Sequence, residues 1–149
     1  MGRVEVQRTI AAPCERVFEL IANGDNAPQW HLSVVSAHHE TAPPIRVGSR
    51  LRVQAEVGRR SYAWTQEVTA WEPPRVFRDR LVPGEGPFHR FEDWGQFEPT
   101  AAGTRVTFGV DYALRGGPLG WLIDRLVLHR RLRPQMESSL AKAASLVER

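Results

Sequence analysis

The stretch that decides the fold is residues 105–147, RVTFGVDYALRGGPLGWLIDRLVLHRRLRPQMESSLAKAASLV. Residues 105–114 alternate between polar and apolar side chains, which is the pattern of a strand with one buried face. After a Gly-Gly-Pro break, apolar residues return at spacings of three and four, which predicts a helix from Leu119 to about Glu148. At about 1.5 Å per residue, such a helix is over ~40 Å long and can cross a whole sheet.

One stripe of this predicted helix is expected to face the core, because its members recur at close to 100° per residue. The stripe consists of Leu119, Leu122, Leu126, His129, Arg133, Met136, Leu140, Ala144 and Val147. Pro134 lies inside the helix, where proline removes one backbone hydrogen bond and clashes with the carbonyl four residues earlier. We therefore predict a kink or a lost backbone hydrogen bond between residues 130 and 134.

The residues before this stretch predict further strands and two short helices. Residues 3–10 alternate as a strand, and helices are expected around Val17–Ile21 and before Trp30. Five more extended segments follow, near residues 34–41, 50–57, 61–71, 76–82 and 88–98. Segregated strands and helices predict an α+β fold in one domain, residues 1–149: a curved antiparallel seven-stranded sheet wrapped around the C-terminal helix. A hollow between sheet and helix is a typical site for a small apolar ligand.

Composition excludes several classes of protein. The 149 residues include 20 basic and 17 acidic ones, and the arginines are interspersed with acids, which argues against nucleic-acid binding. Cys14 is the single cysteine, so no intrachain disulfide is possible. The sequence contains no apolar run long enough to span a membrane and no apolar signal region, and we expect a cytoplasmic protein.

No motif for a nucleotide or a hydrolase nucleophile is present. His38 and His39 are adjacent in a predicted strand and point to opposite faces, while His31 and His129 are isolated. The sequence therefore predicts neither a metal site nor a cofactor.

Strand parity selects the candidate site residues. Residues at even spacings on a strand point to the same face, so Trp64 and Gln66 are expected to face inward with Val68. On the next predicted strands, Asp93 is expected to face inward with Phe91 and Phe97, and Tyr112 with Phe108. His129 and Arg133 lie four residues apart on the helical stripe. As catalytic groups, Asp93 or His129 would transfer protons and Tyr112 or Arg133 would polarise a carbonyl. The ligand-binding candidates are Trp30, Trp64, Gln66, Phe91 and Phe108.

A structural interpretation of the polar residues is also open. Arg133 would then extend to the rim, His129 would be hydrogen-bonded within the fold, and Asp93 would pair with an arginine. A β-bulge within residues 88–98 would turn Asp93 outward and Trp94 inward. Trp121 and Leu128 lie off the stripe, where they could cover the N-terminal helices or form a homodimer surface.

Several short motifs in this order resemble the START-like superfamily, also called SRPBCC or helix-grip, and within it the polyketide cyclase/dehydrase branch. They are Ile10–Pro13 with Glu15–Phe18, Pro28–Trp30, Trp71–Pro74, Phe77–Asp79, Gly86–Phe88, Phe97–Pro99, Gly103–Val106 and Gly116–Gly120. Relatives of that branch often carry histidine on the strand after Gly-Pro-Phe, where this chain has Asp93 and Gly95. Roles of those histidines therefore do not transfer to this chain.

The resemblance implies that a hydrophobic small molecule binds in an internal cavity. Two functions follow from it: a cofactor-free polyketide cyclase, aromatase or dehydratase, or a non-catalytic carrier or sensor of a lipophilic ligand. A protein-interaction module, as in START-like co-chaperones, is a third and less supported one. Because one fold hosts many activities, the resemblance alone does not choose between them.

Overall fold

The computed structural model describes residues 2–57 and 59–149. Seven strands form one sheet in the order β1-β7-β6-β5-β4-β3-β2, and each neighbouring pair is antiparallel. The strands are β1 (Gly2–Ile10), β2 (Val34–His39), β3 (Arg50–Val57), β4 (Arg60–Glu72), β5 (Val76–Leu81), β6 (Phe88–Thr100) and β7 (Gly103–Leu114). The predicted α+β fold, with a seven-stranded antiparallel sheet and a C-terminal helix, is confirmed.

Two short helices follow β1, as predicted. They are α1 (Cys14–Ala22) and α2 (Ala27–Trp30), joined by a 3₁₀ turn at Gly24–Asn26. Helix α1 begins directly after Pro13, and its buried residues recur on one face. Both helices pack against the C-terminal helix, so that they close one side of the sheet's concave face.

The C-terminal helical region has three parts rather than one regular helix. Helix α3 (Gly117–Ile123) leads into a π-helical turn at Asp124–Leu128, and α4 (His129–Val147) follows. Helix α4 runs continuously through Pro134. The departure from α-helical geometry that the structure shows therefore lies before residue 129, one turn upstream of the segment in which we expected a kink.

The C-terminal end of α4 is held to the N-terminal region by hydrogen bonds that involve side chains. The Arg16 guanidinium donates to the carbonyl of Val147 at 2.8 Å, and the amide of Ala11 donates to the Glu148 carboxylate at 2.8 Å. Buried residues of α4, among them Met136, Leu140 and Ala144, pack into the same core as the inner faces of β1, β6 and β7. This packing fixes α4 over one half of the concave face and leaves a cavity over the other half.

Among residues 2–57 and 59–149, no helix is long and apolar enough to cross a membrane.

Candidate ligand-binding and active site

A cavity of about 620 Å³ lies between the concave face of the sheet and the helical region. That volume falls in the usual range of small-molecule sites, roughly 300–1,000 Å³. The sheet contributes Leu51, Val53, Ala55, Trp64, Phe77, Phe88, Phe91, Phe108 and Val110 to its wall. The helical side contributes Ile21, Ile123, Val127, Leu128, Leu132 and Met136. The wall is thus mainly apolar, with Glu56, Arg115 and Arg131 as exposed polar residues among the lining.

A chain of hydrogen bonds crosses the sheet side of this cavity. Trp64 Nε1 donates to Gln66 Oε1 at 2.9 Å, and Gln66 Nε2 donates to Asp93 Oδ1 at 3.0 Å. Because the indole can only donate, it orients the amide of Gln66 so that the NH₂ group points to Asp93. The carboxyl of Asp93 is therefore held in a defined position on the cavity wall.

A second carboxyl group lies beside Asp93. Asp79 of β5 is the cross-strand neighbour of Asp93 of β6, and both residues line the cavity. Side chains at such positions have Cβ atoms about 5 Å apart. Asp79 is buried, and its Oδ1 has no hydrogen-bond partner within the described part of the chain.

The two carboxyl groups share one electrostatic environment. Burial raises the pKa of Asp93 to about 7, while the hydrogen bond from Gln66 acts in the opposite direction. Burial, and then the charge of Asp93, raises the pKa of Asp79 well above its usual range. Because two neighbouring carboxylates on an apolar wall repel each other, the pair retains at least one proton at neutral pH.

The other side of the cavity carries an indole and an imidazole. Trp30 is buried and packs edge-on against Phe108, with ring centroids 5.6 Å apart, and its Nε1 has no partner among the described residues. The amide of Ser33 donates to Nδ1 of His31 at 3.3 Å, which places the ring proton of the neutral His31 on Nε2. Burial lowers the pKa of His31 to about 4, so this ring is neutral at physiological pH.

Six of the nine residues selected from the sequence line the cavity. They are Asp93, Trp30, Trp64, Gln66, Phe91 and Phe108. The register irregularity of β6 lies between Phe88 and Arg90, so the parity from Phe91 to Phe97 is intact and Asp93 faces inward. Their roles in binding or catalysis remain predictions.

The other three, Tyr112, His129 and Arg133, lie outside the cavity lining, unlike our expectation. Tyr112 is fully buried, and its hydroxyl donates to the carboxylate of Asp124. Nδ1 of His129 lies 3.3 Å from the same hydroxyl, and burial followed by the bond to Asp124 raises the pKa of Tyr112. Arg133 is exposed and donates to the carbonyl of Glu5 at 2.9 Å.

The π turn separates the first part of the predicted stripe from the part on α4. A π turn contains one more residue than an α turn, as the bond from the His129 amide to the Asp124 carbonyl shows, and it rotates the helix faces relative to each other. Leu119, Leu122 and Leu126, which lie before or within this turn, are exposed, although we expected them in the core. His129 and Arg133 lie after it on α4, where His129 contacts Tyr112 and Arg133 contacts the Glu5 carbonyl, while Leu128 and Leu132 on the neighbouring flank line the cavity.

Two polar residues at these sites, Asp79 and Asp124, were not predicted from the sequence. Asp79 shares the parity of the apolar Phe77 and Leu81 on β5, so the same strand argument could have selected it. Asp124 had no such signal, because its burial depends on the π turn. No group of three or more metal-ligating side chains occurs in residues 2–57 and 59–149.

Residues 1–148 match the family described as polyketide cyclase / dehydrase and lipid transport. The chain belongs to this family. The match extends over essentially the whole chain and confirms the resemblance to the polyketide cyclase/dehydrase branch of the START-like superfamily.

Individual relatives agree with this assignment. A Streptomyces cyaneus protein named "Putative polyketide cyclase" is 27% identical over 114 residues, which cover 76% of this chain and 74% of that protein. The protein TTHA0849 from Thermus thermophilus superposes with a TM-score of 0.81 at 26% identity, covering 98% of this chain and 97% of that one. The Zhui aromatase/cyclase from a Streptomyces species superposes with a TM-score of 0.79 at 16% identity, covering 99% and 94%, and shows the shared helix-grip fold.

Proposed function

We propose that this protein is a cofactor-free cyclase or dehydratase that acts on an oxygen-rich, otherwise apolar polyketide-like substrate, with Asp93 as its proton-transfer group. The observation that carries the proposal is the pair of neighbouring carboxyl groups, Asp79 and Asp93, on an otherwise apolar cavity wall. A ligand with hydroxyl or carbonyl oxygens can hydrogen-bond to this pair, whereas a purely apolar ligand would cover the carboxyl groups without supplying a partner.

The carboxyl pair can perform both halves of an aldol cyclisation. Asp93 in its carboxylate form removes a proton from the carbon between two carbonyl groups. The resulting enolate carbon then bonds to the carbon of a more distant carbonyl group, which is the second reacting carbonyl. Protonated Asp79 donates its proton to the oxygen of that second carbonyl. Elimination of water then uses the same groups with acid and base exchanged: the carboxylate of Asp79 takes the carbon-bound proton and Asp93 protonates the leaving hydroxyl.

The pKa of about 7 suits Asp93 to this exchange, because a group that is half ionised at the working pH can both accept and donate a proton. Gln66 and Trp64 act as positioning residues, since they fix the carboxyl without themselves transferring protons. The apolar wall favours compact folding of a long substrate and excludes water from the enolate.

A non-catalytic carrier or sensor is the second candidate function. His129 and Arg133 lie outside the cavity lining, so the cavity has fewer ionisable groups than an enzyme with several catalytic residues would have. This observation favours the carrier. A carrier would use the Asp93 carboxyl only to hold a ligand hydroxyl. The two functions differ in what the loss of that charge does.

The experiment compares Asp93→Asn with Trp64→Ala in turnover of a poly-β-ketone and in binding of its aromatic product. An enzyme loses roughly 10²–10⁴-fold in kcat when Asp93 is replaced, with little change in product binding, because proton transfer is worth about that factor. Trp64→Ala weakens binding in both cases because it removes a large apolar surface. Asp111→Asn is the matched control, since Asp111 of β7 lies outside the cavity lining and pairs with Arg3 and Arg78.

Equal turnover in the wild-type protein and Asp93→Asn would exclude the catalytic role. Bound ligand that is retained unchanged by the wild-type protein would then support the carrier function.

A further inference from the structure

The exposed side of the helical region before α4 forms an apolar surface that extends beyond the cavity. Leu119, Trp121, Leu122, Ile123, Leu126 and Val127 form what we call the apolar helix patch, and these side chains are between 43% and 65% exposed. Most large apolar side chains with such exposure in the described chain belong to this patch. Contiguous exposed apolar residues on a soluble domain usually mark an interaction site.

Positive charge surrounds the apolar helix patch. Residues 115–133 contain five arginines and one acid, Asp124, whereas the remaining sequence is nearly balanced. Asp124 is buried and accepts the hydrogen bond from Tyr112, so it does not offset the charge at the surface. Arg125, Arg130 and Arg131 are exposed, and none of them forms an ion pair within residues 2–57 and 59–149.

We propose that the apolar helix patch docks on an anionic lipid surface, with its apolar side chains in the acyl boundary and Arg125, Arg130 and Arg131 at the lipid phosphates. A helix satisfies its own backbone polar groups, which is required of any segment that enters this boundary. Exposed tryptophan and leucine side chains with arginine beside them are typical of helices that lie in the membrane interface. The Arg125 guanidinium lies 5.0 Å from the centre of the Trp121 ring, so the positive charge and the indole would lie at the same depth in a membrane interface.

The charge also distinguishes this occupant from a second copy of the chain. In a two-fold dimer the same patch faces itself, and the arginines of the two copies would oppose each other. An anionic bilayer instead supplies both an apolar layer and a negative surface, each of which matches one part of the patch.

The position of the patch relative to the cavity gives this docking a consequence. Ile123 and Val127 are exposed members of the patch and also line the cavity. Arg131 likewise lines the cavity and is exposed. A protein docked by this surface therefore presents the cavity wall to the bilayer, from which an apolar molecule can enter without crossing water.

The test is flotation of the full chain with vesicles of phosphatidylcholine alone and of phosphatidylcholine with an equal part of phosphatidylglycerol. We expect binding to the anionic vesicles that weakens with added salt, and roughly tenfold or greater loss of affinity in Arg125→Glu/Arg130→Glu. Leu122→Glu/Leu126→Glu should abolish binding, since it places charge in the acyl boundary. The matched control, Arg46→Glu/Val47→Glu, changes an exposed arginine and an exposed valine elsewhere and should bind as the wild-type protein does.

A second readout does not depend on the folding of the glutamate variants. Trp121 emission, obtained as the difference between the wild-type protein and Trp121→Phe, should shift to the blue with anionic vesicles. Three results would overturn the proposal: no binding to anionic vesicles, equal loss in the control variant, or an unchanged Trp121 spectrum in the bound protein. Conversion of a wild-type dimer to a monomer by Leu122→Glu/Leu126→Glu, without vesicle binding, would assign the patch to self-association instead.

Discussion

Asp93 is the residue on which the chemistry of the cavity depends. Strand parity predicted its inward position. Asp93 lies two residues after Phe91 and four before Phe97, and side chains at even spacings on one strand share a face. The same reasoning applied to β5 would have found Asp79. Strand parity could not show that Asp79 and Asp93 are neighbours, because cross-strand neighbours are set by the register of β5 and β6.

The raised pKa of Asp93 makes the stability of the protein depend on pH. Because the folded-state pKa of about 7 exceeds the ordinary value of 3.8, the folded chain retains a proton that the unfolded chain has lost. The free energy of unfolding should therefore fall as pH rises from about 4 to about 7 through this group. Asp79 contributes with the same sign.

Denaturant titrations of the wild-type protein and Asp93→Asn across this pH range measure the effect. The variant cannot ionise at residue 93, so its stability should fall less steeply with pH. Asp111→Asn, which changes a carboxyl outside the cavity lining, should leave the slope close to that of the wild-type protein. Parallel pH profiles for the wild-type protein and Asp93→Asn would show that Asp93 titrates at an ordinary value.

At the scale of elements, the strands followed the sequence closely and the C-terminal helix did not. Alternating side chains set the strands because burial of one face imposes a period of two. The π turn at Asp124–Leu128 has no comparable periodic signal. It accompanies a contact between Asp124 and Tyr112, which belong to different elements, and that contact is invisible to a local pattern.

Tyr112→Phe tests whether this contact holds the π turn. The variant removes the hydroxyl and leaves the buried Asp124 carboxylate without that donor, which should destabilise the protein by roughly 1–3 kcal/mol. Tyr62→Phe is the matched control because Tyr62 is only half-buried, and it should change stability by less than about 0.5 kcal/mol. Thermal unfolding gives both values, and amide exchange of residues 124–129 should increase in Tyr112→Phe alone. Equal stability of the two variants would show that the π turn does not depend on this bond.

For the whole molecule, the general architecture could be predicted because many weak patterns agree on one arrangement of sheet and helix. The existence of a cavity also followed, since a curved sheet around a helix leaves a hollow. Its exact wall did not follow: Leu128 and Leu132 line the cavity, whereas His129 and Arg133 lie on the neighbouring flank of the helix and contact Tyr112 and the Glu5 carbonyl. The cavity is therefore more apolar than the sequence predicted. Its ionisable groups are Asp79, Asp93 and His31 on the wall and the exposed residues Glu56, Arg115 and Arg131.

The central claim is that an apolar, oxygen-bearing molecule binds inside this cavity, and calorimetric titration of a cavity-filling variant tests it most directly. The titration uses a hydroxyanthraquinone and a long-chain fatty acid with the wild-type protein, Ala55→Phe and Val47→Phe. Ala55 lines the cavity of about 620 Å³, which can hold an added ring, whereas Val47 is exposed on a loop. We predict that the wild-type protein and Val47→Phe bind the hydroxyanthraquinone equally, and that Ala55→Phe binds it at least about tenfold more weakly because the ring occupies ligand volume. Equal affinity in all three proteins, or no binding of either compound by the wild-type protein, would contradict the account.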